Sequence, residues 1–191
     1  MLRRLPITPL TRKVSSVMSW GKSLQPDLFL NDTILSLTPE LLERHQIQGL
    51  VLDVDETLVP IKMSQISAEI LPWVESVRSV TPQIWLVSNN VSESRINRIA
   101  EALDVPYLIG AAKPSRRKIR RAVESMNLPM ERVAMVGDRL FTDVLAGNRL
   151  GMFTVLVKPM VDPAEVDRKH LIHSLEFRLS RALGAVMPIR D

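Results

Sequence analysis

From Thr38 onward the chain alternates short apolar runs with amphipathic stretches, and this alternation restricts its fold more than any single motif. Five runs read as strands: Gly49 to Val54, Gln83 to Ser88, Val105 to Ile109, Arg132 to Gly137 and Met152 to Val157. Helix signals lie between them. Thr38 before Pro39 is a cap and first-turn pair, Ser92 precedes Ile96, Ile99, Ala100 and Leu103, and Ile119, Ala122, Val123 and Met126 repeat the helical spacing. Such a βαβαβ rhythm predicts an α/β, three-layer fold with a mostly parallel five-stranded sheet, its ligand site beyond the carboxyl ends of the strands. Pro163 to Leu183 reads as a longer amphipathic helix, with Val166, Leu171, Leu175, Leu179 and Leu183 available to pack on the sheet. The expected division is a basic N-terminal arm over 1–37, one domain over 38–160, and a C-terminal helix over 161–191 packed on that domain.

The first strand runs into Asp53 and Asp55, followed by Thr57, where a parallel sheet opens onto its crevice. Two carboxylates that close repel each other unless a cation or hydrogen bonds compensate, so the placement points to a metal site. Three further groups stand at comparable positions: Ser88-Asn89-Asn90 after the second strand, Lys113-Pro114 at a helix start, and Gly137-Asp138 through Asp143 after the fourth strand. Singly, each has an ordinary explanation. Asp138 and Asp143 are good helix caps, Thr57 is a turn residue, and Asn89 and Asn90 at a strand end serve the backbone and are left outside the site.

Taken together, in order, the four motifs resemble those of the haloacid dehalogenase (HAD) superfamily of phosphohydrolases. The runs LVLDVDETLVP, WLVSNN, GAAKPSRRKIRRA and VGDRLFTDVLAGNRLGM are similar to those of its subfamily IIIA capless phosphatases, the YqeG-type phosphatidylglycerophosphate phosphatases. This resemblance implies a Rossmann-like, HAD-like fold. It also implies Asp53 as nucleophile, attacking phosphorus to form an aspartyl-phosphate, and Asp55 as the acid that protonates the departing alkoxide and then deprotonates water. Mg²⁺ would be held by Asp53, the backbone carbonyl of Asp55, Asp138 and Asp143. Thr57, Ser88 and Lys113 would hold the phosphoryl oxygens, with Lys113 offsetting transition-state charge. Only 35 positions separate Asp53 from Ser88 and 25 separate Ser88 from Lys113, which leaves no room for a cap domain.

Charge bears on the substrate. The net +4 conceals Arg3, Arg4, Arg12, Lys13 and Lys22 within residues 1–26, and Lys113, Arg116, Arg117, Lys118, Arg120 and Arg121 between Val105 and Val123, with no acid in either segment. Removing these eleven leaves −7, an acidic body with two basic segments. Arg116, Arg117, Lys118, Arg120 and Arg121 follow Lys113 directly and predict an anion- or lipid-facing surface beside the site. With an open site, this favours an anionic phospholipid presented at a membrane surface, and the resemblance specifies phosphatidylglycerophosphate. A phosphatase of soluble phosphoesters or phosphorylated macromolecules is the alternative. A basic nucleic-acid-binding module is disfavoured, because only Tyr107 lies near the basic run to stack a base and the carboxylates would have no role.

Hydrophobic residues at 46% and charged residues at 24% exclude wholesale disorder. Without cysteine there are no disulfides and no thiol catalysis. The opening 26 residues lack the apolar core of a secretory signal, so a cytoplasmic protein is expected, peripheral on the inner face of a membrane, with organellar import left open. Trp20 is a candidate interfacial anchor, Trp73 and Trp85 are expected to pack, His45 is expected at the surface, and His170 and His173 are given no metal role.

Overall fold

A computed structural model of the protein describes residues 21–63, 65–160, 174–176 and 178–185. Its sheet contains β1 (Leu28–Phe29), β2 (Gly49–Leu52), β3 (Gln83–Val87), β4 (Tyr107–Leu108), β5 (Val133–Gly137) and β6 (Phe153–Leu156), in the order β1-β6-β5-β2-β3-β4. Every pairing is parallel. The central strands are buried on both faces, which is why they read as continuous apolar runs rather than as alternation.

Side chains of β2 and β5 divide between the two faces with period two. Leu50, Leu52, Ala134 and Val136 join Trp73, Val77, Ile96 and Leu103 of α2 (Ile70–Arg78) and α3 (Glu93–Leu103). Val51, Val133 and Met135 join Ile119, Val123 and Met126 of α4 (Arg117–Met126) on the other face. The apolar positions read from sequence for α3 and α4 are therefore the packed ones. Thr38 and Ser92 stand at the N-caps of α1 (Pro39–Arg44) and α3, in extended backbone. Among the described residues the chain makes only α2 between β2 and β3 and only α3 between β3 and β4, so neither interval holds a cap domain.

The sheet has six strands rather than five. Leu28 and Phe29, placed by sequence in a basic arm, pair with Val155 and Leu156 and extend the sheet at one edge. Two residues are too short to register as a strand pattern. The segment is held by tertiary bonds instead: the Asp27 carboxylate accepts from the Thr154 amide at 2.8 Å and its hydroxyl at 2.9 Å. Residues from 21 to 37 thus belong to the domain. Arg3, Arg4, Arg12, Lys13, Trp20, Val166, His170, Leu171 and His173 lie outside the described residues.

Trp73 packs as expected, its indole N–H donating to the Leu37 carbonyl at 2.9 Å. His45, by contrast, is half-buried against Phe153, with ring centroids 4.7 Å apart. Within the described C-terminal segment, 174–176 and 178–182 are helical. The buried face carries Glu176 and Ser180, whereas Leu175 and Leu179, expected to pack, are 66% and 49% exposed. Residues one position from each leucine take the inward place, and Leu183 joins Leu24, Leu145 and Ala185.

Candidate active site

Asp53 follows the last residue of β2, its amide donating to the Val136 carbonyl at 2.9 Å, so it is fixed by the sheet. The chain then turns back, with the amides of Leu58 and Val59 donating to the Val54 carbonyl and Glu56 at a φ of 67°. Asp53 and Asp55, two residues apart, both line one cavity of about 220 Å³ at the carboxyl edge of the sheet.

Lys113 reaches the same cavity because its loop is laced to the end of β3. Its amide donates to Asn89 Oδ1 at 2.6 Å, Asn89 Nδ2 donates to its carbonyl at 3.3 Å, and the Ala111 amide donates to the Ser88 carbonyl at 2.9 Å. The ammonium lies against Asp53 Oδ1 and 2.7 Å from Asp143 Oδ1, its side chain 1% exposed.

The third component leaves β5. Gly137 is required there, because a Cβ would collide with the Asp143 carboxylate. A wide π-helical turn over Leu140–Val144 brings Asp143 back under the strand end, where its Oδ2 accepts from the Arg139 amide at 3.3 Å and from Thr142 Oγ1 at 3.0 Å. The helix-cap explanation for Asp143 therefore fails: its carboxylate turns into the crevice, with Lys113. Carboxylate oxygens of Asp53, Asp138 and Asp143 lie within 4.8 Å of one another, all three residues buried.

Electrostatically the cluster lacks positive charge. Burial, reinforced by Asp143 and Asp138 and opposed by Lys113, raises Asp53 to about 7 from an ordinary 3.8. Burial opposes the charge on Lys113 too, yet Asp143 and Asp53 outweigh it and hold the ammonium above the ordinary lysine range. One ammonium among three buried carboxylates leaves net negative charge in an all-oxygen donor set, which fits a hard divalent cation such as Mg²⁺.

The other expected residues also converge. Thr57 Oγ1 donates to Asp53 Oδ2 at 3.3 Å and lies 3.5 Å from Asp138 Oδ1. Ser88 Oγ is 3.4 Å from Asp55 Oδ2. The basic run is less uniform. Arg117, Arg120 and Arg121 are exposed, and Arg116, also exposed, donates to the Arg149 carbonyl at 3.1 Å. Lys118 is turned inward, its ammonium bonded to the Ile109 carbonyl at the end of β4, so it does not face an anion as expected.

Sequence reasoning missed four supporting residues. Asn89 anchors Lys113, and Asn90 Nδ2 donates to Asp55 Oδ2 at 3.2 Å. Arg95 NH1 is 2.6 Å from Asp55 Oδ1. Glu176 accepts from Arg139, which lines the cavity, at 2.9 Å and 3.1 Å, and from the Leu140 amide at 3.2 Å. The two asparagines directly follow Ser88 and could have been retained on that ground. Nothing local marks Arg95 or Glu176, whose partners are 40 and 37 residues away.

The chain is similar to known hydrolases and phosphatases. A family model described as HAD-hydrolase-like matches residues 110–173. The chain is 36% identical over 139 residues to the probable phosphatase YqeG of Bacillus subtilis, covering 73% of this chain and 80% of that protein. It is 25% identical over 185 residues to phosphatidylglycerophosphate phosphatase 1, chloroplastic/mitochondrial, of Arabidopsis thaliana, covering 93% of this chain but about half, 53%, of that protein. The solved structure of the cobalt-bound deoxy-D-mannose-octulosonate 8-phosphate phosphatase of Haemophilus influenzae superposes with a TM-score of 0.48 at 12% identity, over 70% of this chain and 91% of that one.

Proposed function

Because this chain belongs to the HAD-like hydrolases of the YqeG phosphatase family and is a phosphatase, we propose that it hydrolyses phosphatidylglycerophosphate to phosphatidylglycerol and inorganic phosphate. The observation that carries the chemistry is the cluster of Asp53, Asp138, Asp143 and Lys113 at the carboxyl edge of the sheet. Support for the lipid comes from the uncapped crevice, the exposed Arg116, Arg117, Arg120 and Arg121 near Lys113, and the name of the Arabidopsis relative.

In this reading a carboxylate oxygen of Asp53 attacks phosphorus in line, and the ester P–O bond to glycerol breaks. Asp55 gives its proton to the departing alkoxide, then takes one from the water that attacks the aspartyl-phosphate, releasing phosphate and restoring Asp53. Thr57, Ser88 and Lys113 hold the phosphoryl oxygens, and Lys113 adds charge stabilisation in a site where burial strengthens it. Held by Asp53, Asp138, Asp143 and the Asp55 carbonyl, Mg²⁺ would supply the positive charge that lets an anionic nucleophile approach an anionic phosphate. Asn89 and Asn90 keep Lys113 and Asp55 in place.

The deciding experiment is phosphate release from vesicles containing phosphatidylglycerophosphate, with and without Mg²⁺, beside soluble phosphoesters and with Asp53→Asn as control. Metal-dependent release that prefers the vesicles, and is absent in the variant, is expected. Preference for the soluble esters would refute the lipid substrate.

A further inference from the structure

Six large hydrophobic side chains are exposed among the described residues: Ile61, Met63, Leu71, Val91, Leu175 and Leu179. Single exposed apolar residues need no explanation, but their distribution over a surface does. In a parallel sheet every segment that leaves a strand's carboxyl end emerges on the same edge. Ile61 and Met63 lie in the loop that follows Asp55, and Leu71 stands in the first turn of α2, where that loop ends. Val91 follows Ser88, Asn89 and Asn90 after β3 and lies against the Gly110 turn that leads to Lys113.

The remaining two belong to the C-terminal helix, whose Glu176 is bonded to Arg139 and to the Leu140 amide just after β5. That pair ties the helix at Glu176 to Arg139, which lines the catalytic cavity. Leu175 is next to Glu176, Leu179 is one turn further on, and Arg178 and Arg181 are exposed on the same helix. Arg116 and Arg117, at the start of α4, add exposed cations where the chain leaves the Lys113 loop. Exposed apolar side chains thus stand in two segments that leave strand carboxyl ends and on the helix bonded to Arg139, and exposed guanidinium groups accompany them on that helix and at the start of α4. A surface of that composition matches an anionic bilayer, whose headgroups take the cations while the acyl boundary takes the apolar side chains.

We propose that this edge is the membrane-docking face of the protein, and that the C-terminal helix, held by Glu176 to Arg139, is its principal anchor, inserting Leu175 and Leu179 into an anionic lipid surface so that the crevice opens onto the headgroup layer. The inference rests on the lipid-substrate reading and specifies how that substrate is reached. It assigns the arginines of α4 a supporting part, because Arg120 and Arg121 lie further along the helix and Lys118 is turned inward.

The test uses the full chain, vesicles of phosphatidylglycerol and phosphatidylcholine, and vesicles of phosphatidylcholine alone. Co-sedimentation is measured for the native protein, for Leu175→Gln with Leu179→Gln, and for Val91→Gln, all surface changes. Turnover of p-nitrophenyl phosphate and of phosphatidylglycerophosphate in detergent micelles is measured alongside. Expected are binding to the anionic vesicles only, a loss of about tenfold in the double variant, a smaller loss in Val91→Gln, and unchanged p-nitrophenyl phosphate turnover. Loss of vesicle binding in the double variant, with no micellar turnover of phosphatidylglycerophosphate by the native protein, supports the docking face and overturns the substrate instead. Equal vesicle binding by the native protein and the double variant overturns the docking face. So does a dimer, seen by sedimentation velocity, that the double variant abolishes, since the helix face would then join two copies of the chain.

Discussion

Arg95 holds Asp55 from a helix 40 residues away in sequence: its NH1 lies 2.6 Å from Asp55 Oδ1, its Nε donates to the Met63 carbonyl at 2.8 Å, and its NH2 donates to the Pro60 carbonyl at 3.2 Å. One guanidinium therefore ties the proposed acid–base carboxylate to the loop that follows it. Both side chains are mostly buried, so the pair is not the screened surface kind. Arg95→Ala should lower kcat by about tenfold with KM changed less than about twofold, because the carboxylate loses its orientation while the phosphate contacts remain. Arg95→Lys, with one donor in place of a planar fork, should recover part of the loss. Steady-state kinetics on one soluble ester decides it. A rise in KM alone would instead make Arg95 a substrate-binding group.

Asp53→Asn should abolish turnover without loss of fold. The substitution removes the attacking oxygen but keeps the shape, and it relieves a carboxylate that burial disfavours beside Asp143 and Asp138. Thermal unfolding of the metal-free variant should thus occur at or above the native midpoint while phosphate release falls to background. Retained activity would remove Asp53 from the nucleophile role.

These two predictions draw on different sources of information. Asp53 could be read from sequence because its signal is local: an apolar run that ends in Asp-x-Asp-x-Thr at a place where a parallel sheet must open. The same holds for Asp138, Asp143 and Lys113, each within a few residues of a strand end. Arg95 and Glu176 carry no such signal, since a surface arginine and a bonded one look alike until the fold brings their partners to them. Leu28 and Phe29 were missed because a two-residue strand has no period of its own, and its register is set by Thr154 through Asp27. Leu175 and Leu179 fit a helical period, but a period alone does not say which face meets the core.

Gly137→Ala tests whether the turn after β5 has any slack. The added methyl would meet the Asp143 carboxylate, itself 1% exposed and ion-paired with Lys113, so it cannot simply swing into water. A cost of about 2 kcal/mol in urea unfolding is expected, with Mg²⁺ affinity weakened by about tenfold as Asp143 is displaced. Calorimetric titration of the metal beside the unfolding curve separates the two effects.

Mg²⁺ should stabilise the protein, and more so at higher pH. Folding raises Asp53 from 3.8 to about 7. A carboxylate raised in this way contributes stability below its unfolded value and loses that contribution as pH climbs through the folded one. A cation binds the ionised form and so must displace a proton at the acidic end of this window. Thermal midpoints with and without Mg²⁺, measured on either side of pH 7, should show the larger increment on the alkaline side. An increment that shrinks as pH rises would mean that the metal does not engage Asp53.

Glu176→Ala should reach the metal cluster without touching it. The buried carboxylate holds both the Arg139 guanidinium and the Leu140 amide, and Arg139 in turn gives its own amide to Asp143. Removing it leaves the Leu140 N–H without its acceptor at the start of the turn that carries Asp143. Arg139 is half exposed, so solvent screening reduces the loss from the ion pair, and a total of about 1–2 kcal/mol is expected. Glu176→Gln keeps an acceptor for Leu140 and should cost less. If the turn transmits the change, Mg²⁺ affinity falls in the order native, Gln, Ala, while the melting cooperativity is unaltered. Equal affinities in all three would restrict Glu176 to holding the C-terminal helix, with no influence on the cluster beside it.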